Sequence, residues 1–174
     1  TRTVINFGHT DKAGINALSE VESSIHEPTG LAHLPTRITK HSKIDFVNDS
    51  GKSVTAIRLE GPEPSVLSRC ETLRLTLGRL GTTEELHGKR SNVFWNEVGN
   101  VFPFVSRPQI VVWRILVAPT DAVLLTQNIC SQCDAECYYD WAGGIIWLGT
   151  KETDLTTHEI VRRSVKAVGA HATM

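Results

Sequence analysis

The sequence predicts an α+β fold: two ferredoxin-like βαββαβ units, the second truncated, forming an antiparallel sheet covered by helices. Three observations lead there. Residues 1–88 run strand, helix, strand, strand, helix, strand, which is the ferredoxin-like order. The same order starts again at Gln109 and is still one strand short when the chain reaches its last residues. Between the two, residues 89–108 read as a connecting helix, so the chain divides into 1–88, 89–108 and 109–174. The repeat is one of element order; no identity recurs at a fixed period.

Each element has its own reason. Thr3–Gly8 ("TVINFG") reads as a strand. Thr10 caps a helix running to about Ser24, because Ile15, Leu18, Val21 and Ile25 recur at helical spacing. Gly30–Ile38 is extended, since Pro35 disfavours helix at Leu34. Residues 39–52 are polar and turn-rich, a loop. Ser53–Gly61 alternates as a strand does. A helix from about Pro64 to Arg79 carries Val66, Cys70, Leu73 and Leu77 on one face, and "TEELHG" is a short edge strand. The connecting helix spans Ser91–Val105, with Ser91 as cap and Pro103 marking its end.

In the second unit, Gln109–Val117 is the most strand-like segment of the chain. "PTDAVLLTQNI" is a helix, with Thr120 or Asp121 near its cap and Pro119 just outside. "AECYYDWA" is a strand, Gly143-Gly144 turns it, and "IIWLG" returns as its hairpin partner. "TTHEIVRRSVKAVG" is a helix with a Thr156/Glu159 capping box and Gly169 as its stop. A last strand begins at His171.

Composition narrows the function. With 174 residues, 40% hydrophobic and 21% charged, the chain is an ordinary globular protein. Its net charge of -1, with acids and bases interspersed, lacks the clustered basic field that nucleic acid requires. The longest apolar run, Ile110–Pro119, is broken by Arg114 and falls far short of the roughly 20 residues of a membrane span. No signal segment opens the chain, so the expected compartment is cytoplasmic. The chain begins at Thr1 and its single Met is Met174, so it reads as a piece of a longer polypeptide.

Cys130, Cys133 and Cys137 raise the question of a metal. A C-x2-C-x3-C run with no fourth ligand nearby does not make the usual zinc or iron–sulfur set, so no metal is expected. Cys70 lies on an apolar helix face and Cys137 alternates with Tyr139 and Trp141 along a strand, so both read as packing. Cys130 and Cys133 read as loop thiols.

Four stretches carry a more specific message: "GLAHLP" (Gly30–Pro35), "WRILVAPT" (Trp113–Thr120), "DWAGGIIWL" (Asp140–Leu148) and "AVGAHATM" (Ala167–Met174). With "TAIRLEGPEPSV" among them, their order and spacing resemble the C-terminal part of the FAD-binding subunit of bacterial glycolate oxidase, also called glycolate dehydrogenase. Leu116 stands where that family usually has Ser. Ala118-Pro119 replaces Pro-Pro, and Gly169-Ala170 replaces Gly-Gly. The cysteine cluster is not part of the pattern. The resemblance implies a flavoprotein whose N-terminal domain binds FAD and whose C-terminal α+β cap covers the isoalloxazine. It implies oxidation of glycolate, a small 2-hydroxy acid, to glyoxylate, with electrons passed to the flavin. The partners it implies are a second flavoprotein subunit and an iron–sulfur subunit, with any membrane association arising through that complex. This chain matches the cap part and carries no Gly-rich phosphate-cradling loop, so FAD is expected to bind mainly outside it and the chain alone not to be catalytic.

Six residues are site candidates, His171 for catalysis and Arg114, His33, Trp113, Asp140 and Trp141 for substrate or flavin contact. Arg114 interrupts an apolar strand, which suggests a buried guanidinium. It is either a fork for a carboxylate or a structural partner of Asp140 or of a Trp. His171 follows a helix stop and is either a proton acceptor facing the flavin or a capping residue. His33 reads chiefly as a satisfied, semi-buried histidine. Trp113 and Trp141, with Trp147, read as core or domain-interface anchors before cofactor stackers. Asp140 either fixes the hairpin or pairs with a base. The rival to a flavoprotein cap is a non-catalytic α+β module that holds partner subunits together. A small cysteine-based metal domain is a weaker third reading.

Overall fold

The computed structural model describes residues 1–151 and 155–174. The first unit contains β1 (Arg2–Phe7), α1 (Asp11–Glu22), β2 (Gly30–Leu34), α2 (Thr36–Thr39), α3 (Asp45–Asn48), β3 (Val54–Leu59), α4 (Glu63–Leu77) and β4 (Thr83–His87). Two helices connect, α5 (Gly88–Gly99) and α6 (Phe102–Val105). The second unit contains β5 (Ile110–Leu116), α7 (Pro119–Gln132), β6 (Ala135–Asp140), a 3-10 turn (Trp141–Gly143), β7 (Ile145–Lys151), α8 (Leu155–Ala167) and β8 (His171–Thr173).

The eight strands form one sheet in the order β4-β1-β3-β2-β6-β7-β5-β8, antiparallel throughout. Read outward from the middle, each half repeats the ferredoxin-like arrangement, and the halves join where β2 meets β6. That seam is short, pairing Ala32 with Asp140 and His33 with Tyr139. The fourth strand of the second unit is the three-residue β8, His171–Thr173, paired with β5. The expected α+β architecture is therefore present, with the two halves in one sheet.

Alternation along the strands gives the sheet two different faces. On one, Val4, Leu31, Ile57, Trp113, Tyr139 and Ile146 pack with buried apolar residues of α1, α4, α7 and α8. On the other, Ile5, Ala32, Ala56 and Tyr138 pack with residues of α2, α3, α5 and α6, including Ile38, Val47, Phe94 and Phe104. No helix among the described residues is long and apolar enough to cross a membrane.

Several local expectations need correction. The 39–52 region is not a plain loop. Its short helix α3 is tied to α5 by buried Glu97, whose carboxylate accepts from Ser42 Oγ at 2.8 Å and from the Lys43 backbone N–H at 2.6 Å. Ser91 caps nothing: α5 starts three residues earlier, and the buried Ser91 hydroxyl lies 2.7 Å from Thr3 Oγ1. Pro103 opens α6 rather than ending a helix. The break between α5 and α6 falls at Val101, held in the left-handed region at φ 55. Helix α7 continues to Gln132, so Cys130 is helical and not in a loop. Helix α8 begins at Leu155, so Thr156 is already inside it, and the residues just before lie outside the described ones. By contrast, Thr10 does cap α1, accepting from Ala13 N–H at 3.3 Å.

Helix α6 is seated on the sheet at a glycine. A Cβ at Gly149 would lie 2.6 Å from Phe104 Cδ1 and 2.9 Å from Ile110 Cγ2. Gly149→Ala is therefore expected to cost about 1–3 kcal/mol, the usual range for overpacking a filled interior. Urea unfolding measures it, and an unchanged midpoint would mean that α6 does not rest on this glycine.

Candidate functional site

Two places concentrate polar side chains, and they lie on opposite faces of the sheet. The first is the seam. His33, fully buried on β2, holds Thr55 Oγ1 at 2.9 Å from Nδ1 and Asp11 Oδ1 at 3.3 Å from Nε2. Across the ladder on β6, the Tyr139 hydroxyl donates to the other Asp11 oxygen at 3.0 Å and lies 2.6 Å from the Thr126 hydroxyl of α7. Asp11 opens α1, where the helix N-terminus also favours a negative charge. Close approach of α1 requires Gly14: a Cβ there would sit 2.2 Å from His33 Nδ1.

The electrostatics follow from these contacts. Burial works to raise the Asp11 carboxyl, but the His33 hydrogen bond and charge, aided by the Tyr139 hydroxyl, outweigh it and hold it below its ordinary value. Tyr139 is pushed far up, chiefly by burial, so its proton stays in place. Beside Asp11 opens a cavity of about 410 Å³ lined also by Arg37, Cys130, Cys133, Glu136 and Cys137. Cys70 and Cys137 are buried in the same core, as the strand and helix patterns suggest. Among the described residues, no group of three His, Cys, Asp or Glu side chains is placed to hold a metal ion.

The second place is the far end of the other face. Cross-strand partners share a face, so the pairings Arg114 with Trp147 and Thr173, Leu116 with Ile145 and His171, and Asp140 with Ile145 set these residues side by side. Arg114, Leu116, His171 and Thr173 are exposed, and Trp147 and Asp140 partly so. Arg114 is thus not the buried guanidinium its apolar neighbours suggest. The helices on this side cover the first unit, the seam and the start of β5, so the far end of β5, with Leu116 and Arg114, stays open to solvent. Its guanidinium carbon stands 6.0 Å from the Trp147 ring centroid, within cation–π range. Asp140 caps the 3-10 turn by accepting from Trp141 N–H at 2.8 Å. Burial raises its carboxyl, while that N–H, the Trp147 indole and the charges of Arg58 and Arg114 pull the other way.

The structure therefore places Arg114, Asp140 and His171 on one face of the sheet, with two strands between Asp140 and His171, and places His33 and Trp113 on the other. Trp113 is a core anchor: it is fully buried, its indole N–H donates to Thr150 Oγ1 at 3.2 Å, and its ring meets His158 edge-on at 5.2 Å. Trp141 is no core anchor. It is 72% exposed at the hairpin, where Trp141, Ala142 and Gly143 all take positive φ. Asp11, Thr126 and Tyr139 escape a reading of the sequence as site residues. Asp11 looks like a helix-start acid, and only the alternation of Tyr139 with Cys137 hints at a buried phenol.

No family model and no curated protein matches this chain. Two solved structures of alkyldihydroxyacetonephosphate synthase do match in fold. One superposes with a TM-score of 0.64 at 11% identity, covering 98% of this chain and 39% of that one. The other gives 0.59 at 12% identity, with the same 98% and 39%. The chain thus spans about two fifths of these structures, and the likeness establishes the fold.

Asp11→Asn tests the seam. A carboxylate held below its unfolded value near 3.8 contributes stability that is present above that value and lost as pH falls through the lower, folded value. The melting temperature of the native protein should therefore drop more steeply with acidification below pH about 4 than that of Asp11→Asn. Parallel acid limbs for the two proteins would contradict the assignment.

Proposed function

We propose that this chain is the cap of a FAD-dependent 2-hydroxy-acid oxidoreductase subunit, and that the open end of its sheet is the surface turned toward flavin and substrate. The observation that carries the reading is the placement of Arg114, Trp147, Asp140 and His171 on one face, with Arg114 and His171 exposed. The motif order shared with the FAD-binding subunit of bacterial glycolate oxidase supports it, with glycolate as the substrate that resemblance favours. The solved structures similar in fold are of a differently named enzyme, so they support the architecture and not the substrate.

The residues present fit one end of FAD. Trp147, Leu116 and Val112 offer an apolar and aromatic surface for a flat ring, and Arg114 offers donors at its edge. Nothing in this face cradles a diphosphate, so the rest of the dinucleotide belongs to another part of the polypeptide. The flavin, when bound, supplies the acceptor for the substrate's two electrons. The chain's own residues do the rest. Arg114 holds the substrate carboxylate by a two-point contact, with Trp147 fixing the guanidinium plane. His171, next to Leu116 on the same face, receives the hydroxyl proton. Asp140 fixes the hairpin and contributes negative charge behind Arg114. His33 and Trp113 are structural in this reading. The further subunits of a glycolate-oxidising complex, a second flavoprotein and an iron–sulfur protein, are the partners it brings, in the cytoplasm or at a membrane through the complex.

A second reading, a subunit-docking module, is favoured by one observation. Trp141 is exposed and held in a strained turn beside Pro28 and Gly30, as an interface anchor would be.

Arg114→Lys in the complete polypeptide separates substrate binding from architecture. Lys keeps the charge and loses the planar fork. Dye-coupled glycolate oxidation should lose about 1.5–3 kcal/mol of transition-state stabilisation, roughly ten- to hundredfold in kcat/KM, with the melting temperature unchanged. Unchanged activity, or a loss that only tracks a lowered melting temperature, would withdraw Arg114 from the site. A Trp141→Ala protein that oxidises glycolate normally but no longer assembles with its partner subunits would favour the docking reading.

A further inference from the structure

Three cysteines line the cavity beside the seam, and neither face of the proposed function uses them. We propose that Cys130 and Cys137 form a peroxide-responsive dithiol, in which a hydroperoxide oxidises Cys130 and Cys137 then closes a reversible disulfide onto it. Cys130 sits in the last turn of α7 and is exposed, so an oxidant can reach it. Cys137 sits on β6, buried in the core, and lines the same cavity as Cys130, whose thiol donates to the Ala135 carbonyl at 3.5 Å, two residues along β6 from Cys137. A buried thiol needs no solvent path when its target shares its cavity.

The surroundings divide the roles. The hydrogen bond from Cys137 holds the Cys130 thiol below its ordinary value, with Arg37 adding to this, while burial and the charges of Asp11 and Asp134 oppose it. The same bond, with burial, keeps Cys137 well above the ordinary value. Cys133 is raised by burial and by Cys130, and Cys70 is pushed up to about 12. Of the four thiols, Cys130 alone combines exposure with a thiolate-favouring environment. Cys133 is one helical turn from Cys130, but it caps the helix in extended conformation, and its thiol donates back to the Ile129 carbonyl at 3.4 Å.

The chemistry balances without a metal or flavin. The Cys130 thiolate attacks the hydroperoxide, the O–O bond breaks, and with one proton the products are a sulfenic acid and an alcohol, or water from hydrogen peroxide. The Cys137 sulfur then attacks the Cys130 sulfur, the S–O bond breaks, and the Cys137 proton leaves with the hydroxide as water. Two thiols lose two electrons and the hydroperoxide gains them. An excess of small thiol reverses the step by exchange. The new bond ties α7 to β6 two residues from Tyr139, so oxidation clamps the seam.

The complete polypeptide, folded and treated with hydrogen peroxide, provides the test. Proteolysis before aspartates cuts at Asp121, Asp134 and Asp140 and separates Cys137 from the other two thiols. Non-reducing mass spectrometry should find the peptides Asp121–Cys133 and Asp134–Tyr139 joined and lighter by two hydrogens. The link should persist in Cys133→Ser, vanish in Cys130→Ser and be undone by dithiothreitol. In Cys137→Ser, Cys130 should accumulate as a sulfenic acid trapped by dimedone. No joined pair in the folded protein, a joined pair that survives Cys130→Ser, or a bond confined within Asp121–Cys133 would overturn the proposal.

Discussion

Asp11 accepts hydrogen bonds from both sides of the joint between the two half-sheets. His33 on β2 and Tyr139 on β6 face each other in the ladder, and one carboxylate at the start of α1 binds both. The joint needs such help. It consists of two residue pairs, where β1–β3 has six and β5–β7 has seven. A ladder that short contributes little by itself. A buried network with one partner removed leaves the others unsatisfied, at about 1–3 kcal/mol per group. The seam is thus strong because its side chains are committed to one arrangement. Gly14 belongs to the same arrangement, since any larger residue would push α1 off His33.

The joint determines what the other face can be. Because β6 continues the sheet from β2, the surface formed by Ala32, Asp140, Trp147 and Arg114 is unbroken across the two units. Helices α2, α3, α5 and α6 fill the part nearest the first unit, around Phe94, Phe104 and Tyr138. Helices α7 and α8 lie on the opposite side with α1 and α4. The second unit therefore has a helix-backed face and an open one, and the open one carries a cation, an aromatic ring and a histidine in register. A sheet end of this composition suits a flat ligand or a second domain better than bulk water.

Much of this was legible in the sequence. Period-two and helical spacing identify most of the elements of both units, and Thr10, by its capping hydrogen bond, and Gly169, by its positive φ, mark boundaries that tertiary contacts do not override, whereas the extended segment expected to run to Ile38 ends at Leu34, where Pro35 opens the short helix α2. What was not legible is what depends on distant residues. The short helix α3 exists because Glu97, about fifty residues on, fixes Ser42 and Lys43. Arg114 looks buried because Val112 and Leu116 flank it on its own face, but Val112 packs against the neighbouring core while Leu116 and Arg114 are exposed beyond it. The partnership of Asp11 with Tyr139 joins residues 128 positions apart, and no local pattern announces it. The cysteine run, unpromising as a metal site, gains meaning only when α7 and β6 bring Cys130 and Cys137 to one cavity.

The functional account stands on which face of the sheet meets the flavin ring. A crystal structure of the complete polypeptide with FAD and glycolate decides this most directly. The account predicts the ring against the face of Trp147 and Leu116, the substrate carboxylate in a two-point contact with Arg114, and His171 within hydrogen-bond reach of the hydroxyl. A flavin lying over α7 and α8, or an Arg114 face buried against protein with no ligand near it, would contradict it.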